Sequence, residues 1–329
     1  MLGQNLAMLG SFSEAHEHLQ KAQSNSTAER RQQAIADYGE EPALTSMSFD
    51  AWMLWHFGEY KQATKLSQQA TRMAREFGHV NSTALALTFD GILNLMLQFP
   101  ETALQRAEEV LTLTNYQDLA YWEAEANIIK GKSLLELGDK QNGVSAMETG
   151  LQAWKQTGAQ EHFVPSHISF LAAGYLKDDR PKDALLLLNE AFEIVDRTEE
   201  RWFLGELHRI NAECLTQLEY DSATINVEYQ KAVGVAKQQS SNGLLIKILN
   251  SYYHYHPHQA AEFLNKTRQL EESTKADRES LDNTAKASVT AETINIRALE
   301  KLIAAHPAST IYPDIIDARR LWAQNTAPS

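Results

Sequence analysis

A small side chain recurs about every 40 positions along this sequence, and this periodicity limits the fold more than any other feature. The recurring residues are Ala15, Ala63, Ala103, Gly143, Ala184 and Ala223, at steps of 48, 40, 40, 41 and 39. A second column stands twelve positions earlier, at Gly3, Ala51, Gly91, Gly131, Ala172 and Asn211. A repeat of this length is typical of an array in which each unit packs on its neighbours. The sequence therefore predicts one array of similar units.

Each unit is predicted to consist of two antiparallel helices. Large residues follow the small one at intervals of three and four, as Leu134 and Leu135 follow Gly131, which places them on one helix face. Pro100 and Pro181 stand where a second helix would begin, a position at which a missing backbone N–H costs little. A glycine marks the intervening turn at Gly10, Gly58 and Gly138. Because one hairpin cannot bury its apolar face alone, stacked hairpins must form the core, and the expected fold class is all-α.

The composition agrees with a helical protein and excludes several functions. The chain has only 15 Gly and 8 Pro, too few for a turn-rich β architecture. Its 43 acidic residues outnumber 30 Lys and Arg, and the net charge of −13 predicts no nucleic acid partner. A single cysteine, Cys214, excludes an internal disulfide. No basic residue precedes Lys21 and no apolar run approaches the ~18 residues of a membrane span, so we expect a cytoplasmic location without membrane contact.

The order of residue types within a unit resembles the tetratricopeptide repeat. A small residue, a large residue, a turn glycine, an aromatic residue such as Tyr60 and then Ala63 follow one another at the offsets of that repeat. The resemblance implies a tetratricopeptide-like, right-handed α-solenoid of helical hairpins. The period is about 40 here, against ~34 in the ordinary repeat, which implies longer helices or loops.

Five longer strings resemble one family of large bacterial signalling proteins. They lie at residues 38–42, 51–60, 131–138, 150–154 and 198–209, and the resemblance covers roughly residues 1–235. In that family an adenylate/guanylate cyclase or DNA-binding domain and a P-loop ATPase domain precede a tetratricopeptide-like region. The resemblance implies a non-catalytic sensory or protein-interaction module of a cytoplasmic signalling system. Its partner would be a protein, a peptide or a small effector, including an associated cyclase or ATPase.

The sequence divides into three parts. Residues 1–270 are predicted to form the solenoid, with about six to seven hairpins. Residues 271–305 carry apolar residues on one helical face and are predicted to form a C-terminal helix, which either caps the stack or pairs with a partner. Residues 306–329 form a tail that we expect to be partly disordered.

One string raises an enzymatic alternative. Ala126–Ser133 satisfies a relaxed Walker A pattern, ending in Gly131, Lys132 and Ser133. A phosphate-binding loop needs several glycines between a strand and a helix, whereas here no strand precedes the string and Gly131 belongs to the small-residue column. We therefore favour a helix over a nucleotide-binding enzyme at this string.

Two other clusters of polar residues are weak candidates for chemistry. His254, His256 and His258 alternate, and they would share a face and chelate a metal only if the segment were extended. At a helix end they diverge, so we expect no metal and no other cofactor. Glu206 and Arg209 have the spacing of an ion pair on a helix surface.

A solenoid of this kind binds its ligands on the concave face, which the first helices of the units line. The residues between the core columns of those helices are the predicted binding residues, namely Ser48, Trp52, Thr88, Glu125, Lys132 and His208. For Trp52 an alternative interpretation is that it packs within the helix layer of Trp55.

Overall fold

A computed structural model of the protein describes residues 1–25, 34, 41–114, 119–159 and 161–256, together with residues 313, 314, 317, 318 and 320. Thirteen helices and no strand are bounded within this part of the chain. They are α1 (Leu2–Met8), α2 (Phe12–Ser24), α3 (Pro42–Phe57), α4 (Tyr60–Phe77), α5 (Val80–Met96), α6 (Pro100–Thr114), α7 (Ala120–Glu136), α8 (Lys140–Gln156), α9 (Val164–Lys177), α10 (Pro181–Thr198), α11 (Leu204–Gln217), α12 (Ser222–Gln238) and α13 (Asn242–Tyr255). None of these helices is long and apolar enough to cross a bilayer.

The helices pair in sequence as six hairpins, from α1 with α2 to α11 with α12, and α13 packs on the last of them. The tetratricopeptide-like, all-α solenoid that the repeat predicts is confirmed. The predicted C-terminal helix at 271–305 lies outside the described residues, as does most of the tail at 306–329. Among the five described residues of that tail, Asp314 makes hydrogen bonds to the solenoid, which are presented below.

The six hairpin turns share one feature of backbone conformation. One residue of each turn has a positive φ, between 57° and 96°, at Gly10, Gly58, Gln98, Gly138, Asp179 and Glu219. In the second hairpin the N–H of Gly58 donates to the carbonyl of Trp55 at 2.9 Å, and that of Glu59 donates to the carbonyl of Leu54 at 2.8 Å. A residue in the left-handed conformation at this place directs the following N–H groups to the last carbonyls of the first helix and reverses the direction of the chain.

From the second hairpin onward, the first helix of each hairpin lies inside the array and the second lies outside. Helix α3 carries no Lys, Arg or Glu and is buried on almost all sides. Helix α4 instead alternates buried Ala63 and Ala70 with exposed lysines and glutamines. A helix that is apolar all round must be enclosed, whereas an amphipathic one faces water on one side. We call α3, α5, α7, α9, α11 and α13 the inner helices, and each contacts the next along the array.

Helices α7 and α8 make the closest contact of the array, and the Walker-like string lies inside it. A Cβ on Gly131 would stand 2.6 Å from the carbonyl oxygen of Gly143, and one on Gly143 would stand 2.8 Å from that of Gly131. Ala126–Ser133 is continuous helix within α7, and the Ser133 hydroxyl donates to the carbonyl of Ile129 at 2.8 Å. The alternative of a phosphate-binding loop at this string is wrong, because its backbone N–H groups serve the helix.

The last hairpin departs from the predicted register by one or two residues. Ala223 is exposed, while Ile225 and Ala232 are buried on α12 at the places expected for the anchor and the residue seven later. On α11 the fully buried small residue is Ala212 instead of Asn211. The added residues lengthen the turn before α12.

The array closes on itself, so that its first and last units touch. Nδ1 of His56 on α3 and Oγ of Ser241 share a hydrogen bond of 2.7 Å, and Asn242 donates to the carbonyl of Phe57 at 3.0 Å. The N–H of Arg201 also donates to the carbonyl of Met8 at 2.8 Å. As a result the inner helices surround one common axis.

Candidate functional site

Aromatic side chains fill one end of this axis. The ring of Trp52 stacks between those of Phe89 and Trp202, with centroid distances of 4.2 and 5.0 Å. The indole N–H of Trp52 donates to the carbonyl of Phe89 at 3.1 Å, and Phe163 meets Trp202 edge to face. These contacts bury Trp52 almost completely, so this end of the axis is a packed core.

The other end of the axis holds a cavity of about 880 Å³, which we call the central cavity. Its wall comes from α5, α7, α9, α11 and α13, mostly from the C-terminal halves of these inner helices. Ala173 and Leu176 supply an apolar floor, and Asn250 and Ser251 supply polar groups. Residues on or next to five of the six inner helices line this cavity.

An ion-pair network on α11 and α13 lines one wall of the central cavity. Arg209 donates from two nitrogens to the two carboxylate oxygens of Glu206, both at 2.8 Å, and it also pairs with Glu213. Lys247 donates to Glu206 at 2.7 Å, and the Ser251 hydroxyl donates to Glu213 at 2.6 Å. Burial by itself would raise the pKa of Glu206, but Arg209 and Lys247 outweigh it and hold that pKa well below its usual value.

Sequence spacing alone places Glu206 and Arg209 in an exposed pair on a helix surface, and this interpretation is wrong. Only 5% of Glu206 and 8% of Arg209 are exposed. Both residues face the axis because α11 is an inner helix, enclosed by its neighbours. Buried charges of this kind are tolerated only with close, well-directed partners.

A second network lines the opposite wall. Lys132 on α7 donates to Glu136 at 2.6 Å, and Lys177 on α9 pairs with the same carboxylate. Burial raises the pKa of Glu136, but the two lysines more than compensate and lower it to about 2. The two networks together give four cations, at Lys132, Lys177, Arg209 and Lys247, against three carboxylates, at Glu136, Glu206 and Glu213. Asp314, Asp317 and Arg320 also belong to the wall, which therefore holds five cations and five carboxylates, so that their charges balance.

Residues from the far C-terminus also line the central cavity. Pro313, Asp314, Asp317 and Arg320 belong to its wall. Gln98 donates from its side-chain amide to a carboxylate oxygen of Asp314 at 2.6 Å, and Asn250 donates to the backbone carbonyl of the same residue at 3.0 Å. Asp314 is 4% exposed, and burial raises the pKa of its carboxyl to about 6.

Of the six predicted binding residues, the structure brings only Lys132 to the central cavity. Trp52 lies in the aromatic core, and the other four occupy places away from the cavity. Ser48 is buried and donates to the carbonyl of Leu44, Thr88 is buried, Glu125 is buried 2.8 Å from Nε2 of His167, and His208 pairs with Glu228 at 2.7 Å. The expectation that these residues face an open groove differs from the structure because the array closes and aromatic side chains fill one end of its axis.

The cavity residues that the sequence interpretation missed carry one signal in the sequence. They are charged residues on helices that are otherwise apolar, such as Lys177 on α9 and Lys247 on α13. A charge on an enclosed helix requires a partner or a function. The partner of each charge could not be identified, because it lies on a different hairpin.

The histidine cluster does not converge. His254 is exposed at the cavity rim, while His256 follows the last residue of α13, with its Nε2 3.2 Å from the Thr216 hydroxyl. His258 lies outside the described residues. Within the part of the chain that the structure covers, no group of three His, Cys, Asp or Glu side chains is arranged to hold a metal ion. Cys214 is buried, and burial raises the pKa of its thiol to about 11, which is unfavourable for a nucleophile.

Comparisons with known proteins identify the fold. No protein-family model matches the sequence, and no curated protein matches it. The Rap protein complexed with Competence and Sporulation Factor aligns with a TM-score of 0.61 at 13% identity, over 82% of this chain and 73% of that one. Apo RapI aligns with a TM-score of 0.51 at 11% identity, over 74% and 89%. Bacillus thuringiensis PlcR, in complex with the peptide PapR7 and DNA, aligns with a TM-score of 0.50 at 18% identity, over 69% and 94%. The chain therefore shares the tetratricopeptide-like helical fold of these proteins.

Proposed function

We propose that this chain is a non-catalytic binding module of a regulatory system, and that it takes a peptide or an extended protein segment into the central cavity. The observation that carries the proposal is the cavity itself. Its volume of about 880 Å³ lies within the ~300–1,000 Å³ typical of ligand sites, and its polar groups are fixed on rigid helices. The structural neighbours include PlcR in complex with the peptide PapR7, which supports a peptide as the ligand class.

The polar groups of the wall suit a peptide. Asn250 presents an amide that pairs with a backbone carbonyl, as its bond to Asp314 demonstrates. Lys247 and Arg209 already share their charge with Glu206, so an entering ligand meets a wall whose charges are neutralised. Such a wall binds polar main-chain groups without requiring a highly charged ligand.

A peptide-display selection against the full chain tests this proposal. Selected peptides are expected to lose at least tenfold in affinity on Asn250→Ala and on Lys247→Ala, as measured by fluorescence anisotropy. Lys155→Ala is the matched control, because Lys155 pairs with Glu190 on the outer helices, far from the cavity, at 2.8 Å. Selected peptides whose affinity is the same in all three folded variants would show that the cavity is not the binding site.

The family resemblance extends the proposal to a biological setting. A module of a cytoplasmic bacterial signalling system would pass the binding of its effector to an associated cyclase or ATPase. Co-purification followed by mass spectrometry tests that partner. We do not propose a nucleic acid ligand, since the net charge of −13 opposes phosphate, and retention on heparin at physiological salt would contradict this part.

A further inference from the structure

This chain's own C-terminal segment lines part of the central cavity. We define the segment as the described residues Pro313, Asp314, Asp317, Ala318 and Arg320, of which all but Ala318 belong to the cavity wall. The segment follows Gln98 by more than 200 positions and still places Asp314 within hydrogen-bond distance of it. Asp314 and Ala318 are buried, at 4% and 8% exposure. Asp317 and Arg320 also belong to the cavity wall, but their side chains are 46% and 67% exposed, and the two pair with each other at 3.3 Å. Asp314 and Ala318 are therefore enclosed, while Asp317 and Arg320 stand at the open rim of the cavity.

The contacts of Asp314 are those that a bound peptide would make. Asn250 donates to its main-chain carbonyl at 3.0 Å, a bond that any residue at this place could accept. Gln98 donates to its carboxylate at 2.6 Å, a bond that selects an acidic or amide side chain. Gln98 is held for this contact because it is the positive-φ residue of the third hairpin turn. The cavity thus recognises one main-chain group and one side chain.

The electrostatic environment of Asp314 makes this docking reversible. Its carboxylate accepts a hydrogen bond from the neutral amide of Gln98, which compensates a buried carboxylate less than a cation would. Lys247 and Arg209 attract the carboxylate, but Glu206 repels it and occupies both of these cations. An external ligand that makes the same two contacts and adds others can therefore displace the segment.

We infer that the C-terminal segment is an intramolecular occupant of the central cavity, and that an external peptide bearing an acidic side chain competes with it for Gln98 and Asn250. This inference rests on the proposed peptide-binding function and names its ligand class and its regulation. A tethered occupant has a high effective concentration. The apparent association constant of an external peptide is therefore its intrinsic value multiplied by the small fraction of molecules in which the cavity is free.

The test uses a fluorescein-labelled synthetic peptide with the sequence of residues 309–323, added to the full chain. Asp314→Ala in the chain removes the carboxylate that docks the tethered segment. The labelled peptide is expected to bind the Asp314→Ala chain at least tenfold more tightly than the unaltered chain, by fluorescence anisotropy. Equal affinity for the two chains, or no binding to either, would overturn the inference.

Two controls separate docking from other effects. Glu190→Gln in the chain changes an exposed acid on an outer helix, outside the cavity wall, and is expected to leave the affinity of the labelled peptide unchanged. A labelled peptide that itself carries Asp314→Ala is expected to bind the Asp314→Ala chain at least tenfold more weakly than the unaltered peptide. A changed affinity in the first control, or equal binding of the two labelled peptides in the second, would contradict the role of this carboxylate.

The failure of this inference can be told apart from failure of the proposed function. If selected peptides bind the unaltered and Asp314→Ala chains equally, but lose affinity on Asn250→Ala, the cavity is a peptide site and the C-terminal segment does not compete for it. If the labelled peptide binds the Asp314→Ala chain more tightly than the unaltered chain, but the display selection yields no peptide that binds the cavity, the segment is an occupant and the proposed function is wrong.

Discussion

The imidazole of His56 is hydrogen-bonded to the hydroxyl of Ser241, 185 positions later in the chain, over 2.7 Å. The ring also stacks on Phe12 with a centroid distance of 4.0 Å, and its Nε2 is buried with no hydrogen-bond partner among the described residues. One side chain therefore joins the first two hairpins to the last. The contact closes the array and requires a neutral imidazole, because no acid faces Nε2.

The burial of His56 predicts that acid destabilises the fold. Burial lowers the pKa of His56 to about 3, so between pH 6.5 and 3 the unfolded chain binds a proton that the folded chain does not. The free energy of unfolding should therefore fall as the pH drops, by about 2 kcal/mol at pH 5 from this residue. Urea denaturation at pH 7.5 and pH 5 measures the effect. His56→Gln should flatten the dependence, and an unchanged slope would contradict the assignment.

His16 provides an internal control of opposite sign. Its hydrogen bond to Asp50 raises the pKa of the imidazole, although burial opposes the shift. The stabilisation from this pair is fully present below pH 6.5 and is lost as the pH rises through the raised pKa. His16→Gln should therefore make the loss of stability between pH 7.5 and pH 5 steeper. A flatter dependence in His16→Gln would show that the pair is not formed.

The close contact of α7 with α8 predicts a graded response to added methyl groups. Gly131→Ala would force a Cβ to within 2.6 Å of a backbone oxygen, and we expect a loss of about 1–3 kcal/mol or more. Gly91→Ala meets the flexible side chain of Ile129 at 3.3 Å and should cost less. Gly234 on α12 has open space around it, so Gly234→Ala should stabilise the protein by about 0.4–1 kcal/mol. Thermal denaturation of the three variants gives the order, and an equal effect at Gly91 and Gly131 would be inconsistent with this packing.

Arg209 is predicted to be essential for stability because it neutralises two buried carboxylates. Arg209→Ala leaves Glu206 and Glu213 at the cavity wall with one partner fewer, and a loss of about 3–5 kcal/mol is expected. The matched control is Lys155→Ala, which breaks the exposed pair with Glu190 and should cost about 1 kcal/mol or less. Guanidinium denaturation measures both. Similar losses in the two variants would mean that the Arg209 network is solvated.

Substitutions of Trp52 test whether this residue packs in the core or binds the ligand. Its stacking on Phe89 and Trp202 predicts a loss of about 3–5 kcal/mol on Trp52→Ala. The milder Trp52→Phe keeps a ring in the stack and should retain most of the stability. Because the side chain lies at the filled end of the axis, the folded Trp52→Phe variant should bind selected peptides with unchanged affinity. A tenfold loss of affinity in this variant would place the ligand at the aromatic end instead.

The local architecture could be predicted from the sequence because its causes lie within short stretches of chain. Gly131 followed by Leu134 and Leu135 defines a helix face, and Pro181 begins a second helix, whatever the rest of the molecule does. The column of turn residues is equally local, although Gln98 and Glu219 adopt the same positive φ as Gly58 without being glycine. The register failed only in the last hairpin, at Asn211 on α11 and at Ala223 before the buried face of α12.

The placement of the site could not be predicted, because it depends on how far the array turns. The five interfaces between successive inner helices set that rotation together, and only the total rotation brings His56 to Ser241. The same total rotation of the array buries Trp52 at one end of the axis and leaves a cavity at the other. Likewise, nothing in the sequence around Asp314 indicates Gln98 as its partner. The sequence by itself thus determined the repeated helical hairpin, since periodicity acts over one or two turns of helix. Only the tertiary structure decided which charged residues meet inside the closed array, since those contacts join residues that are distant in the chain.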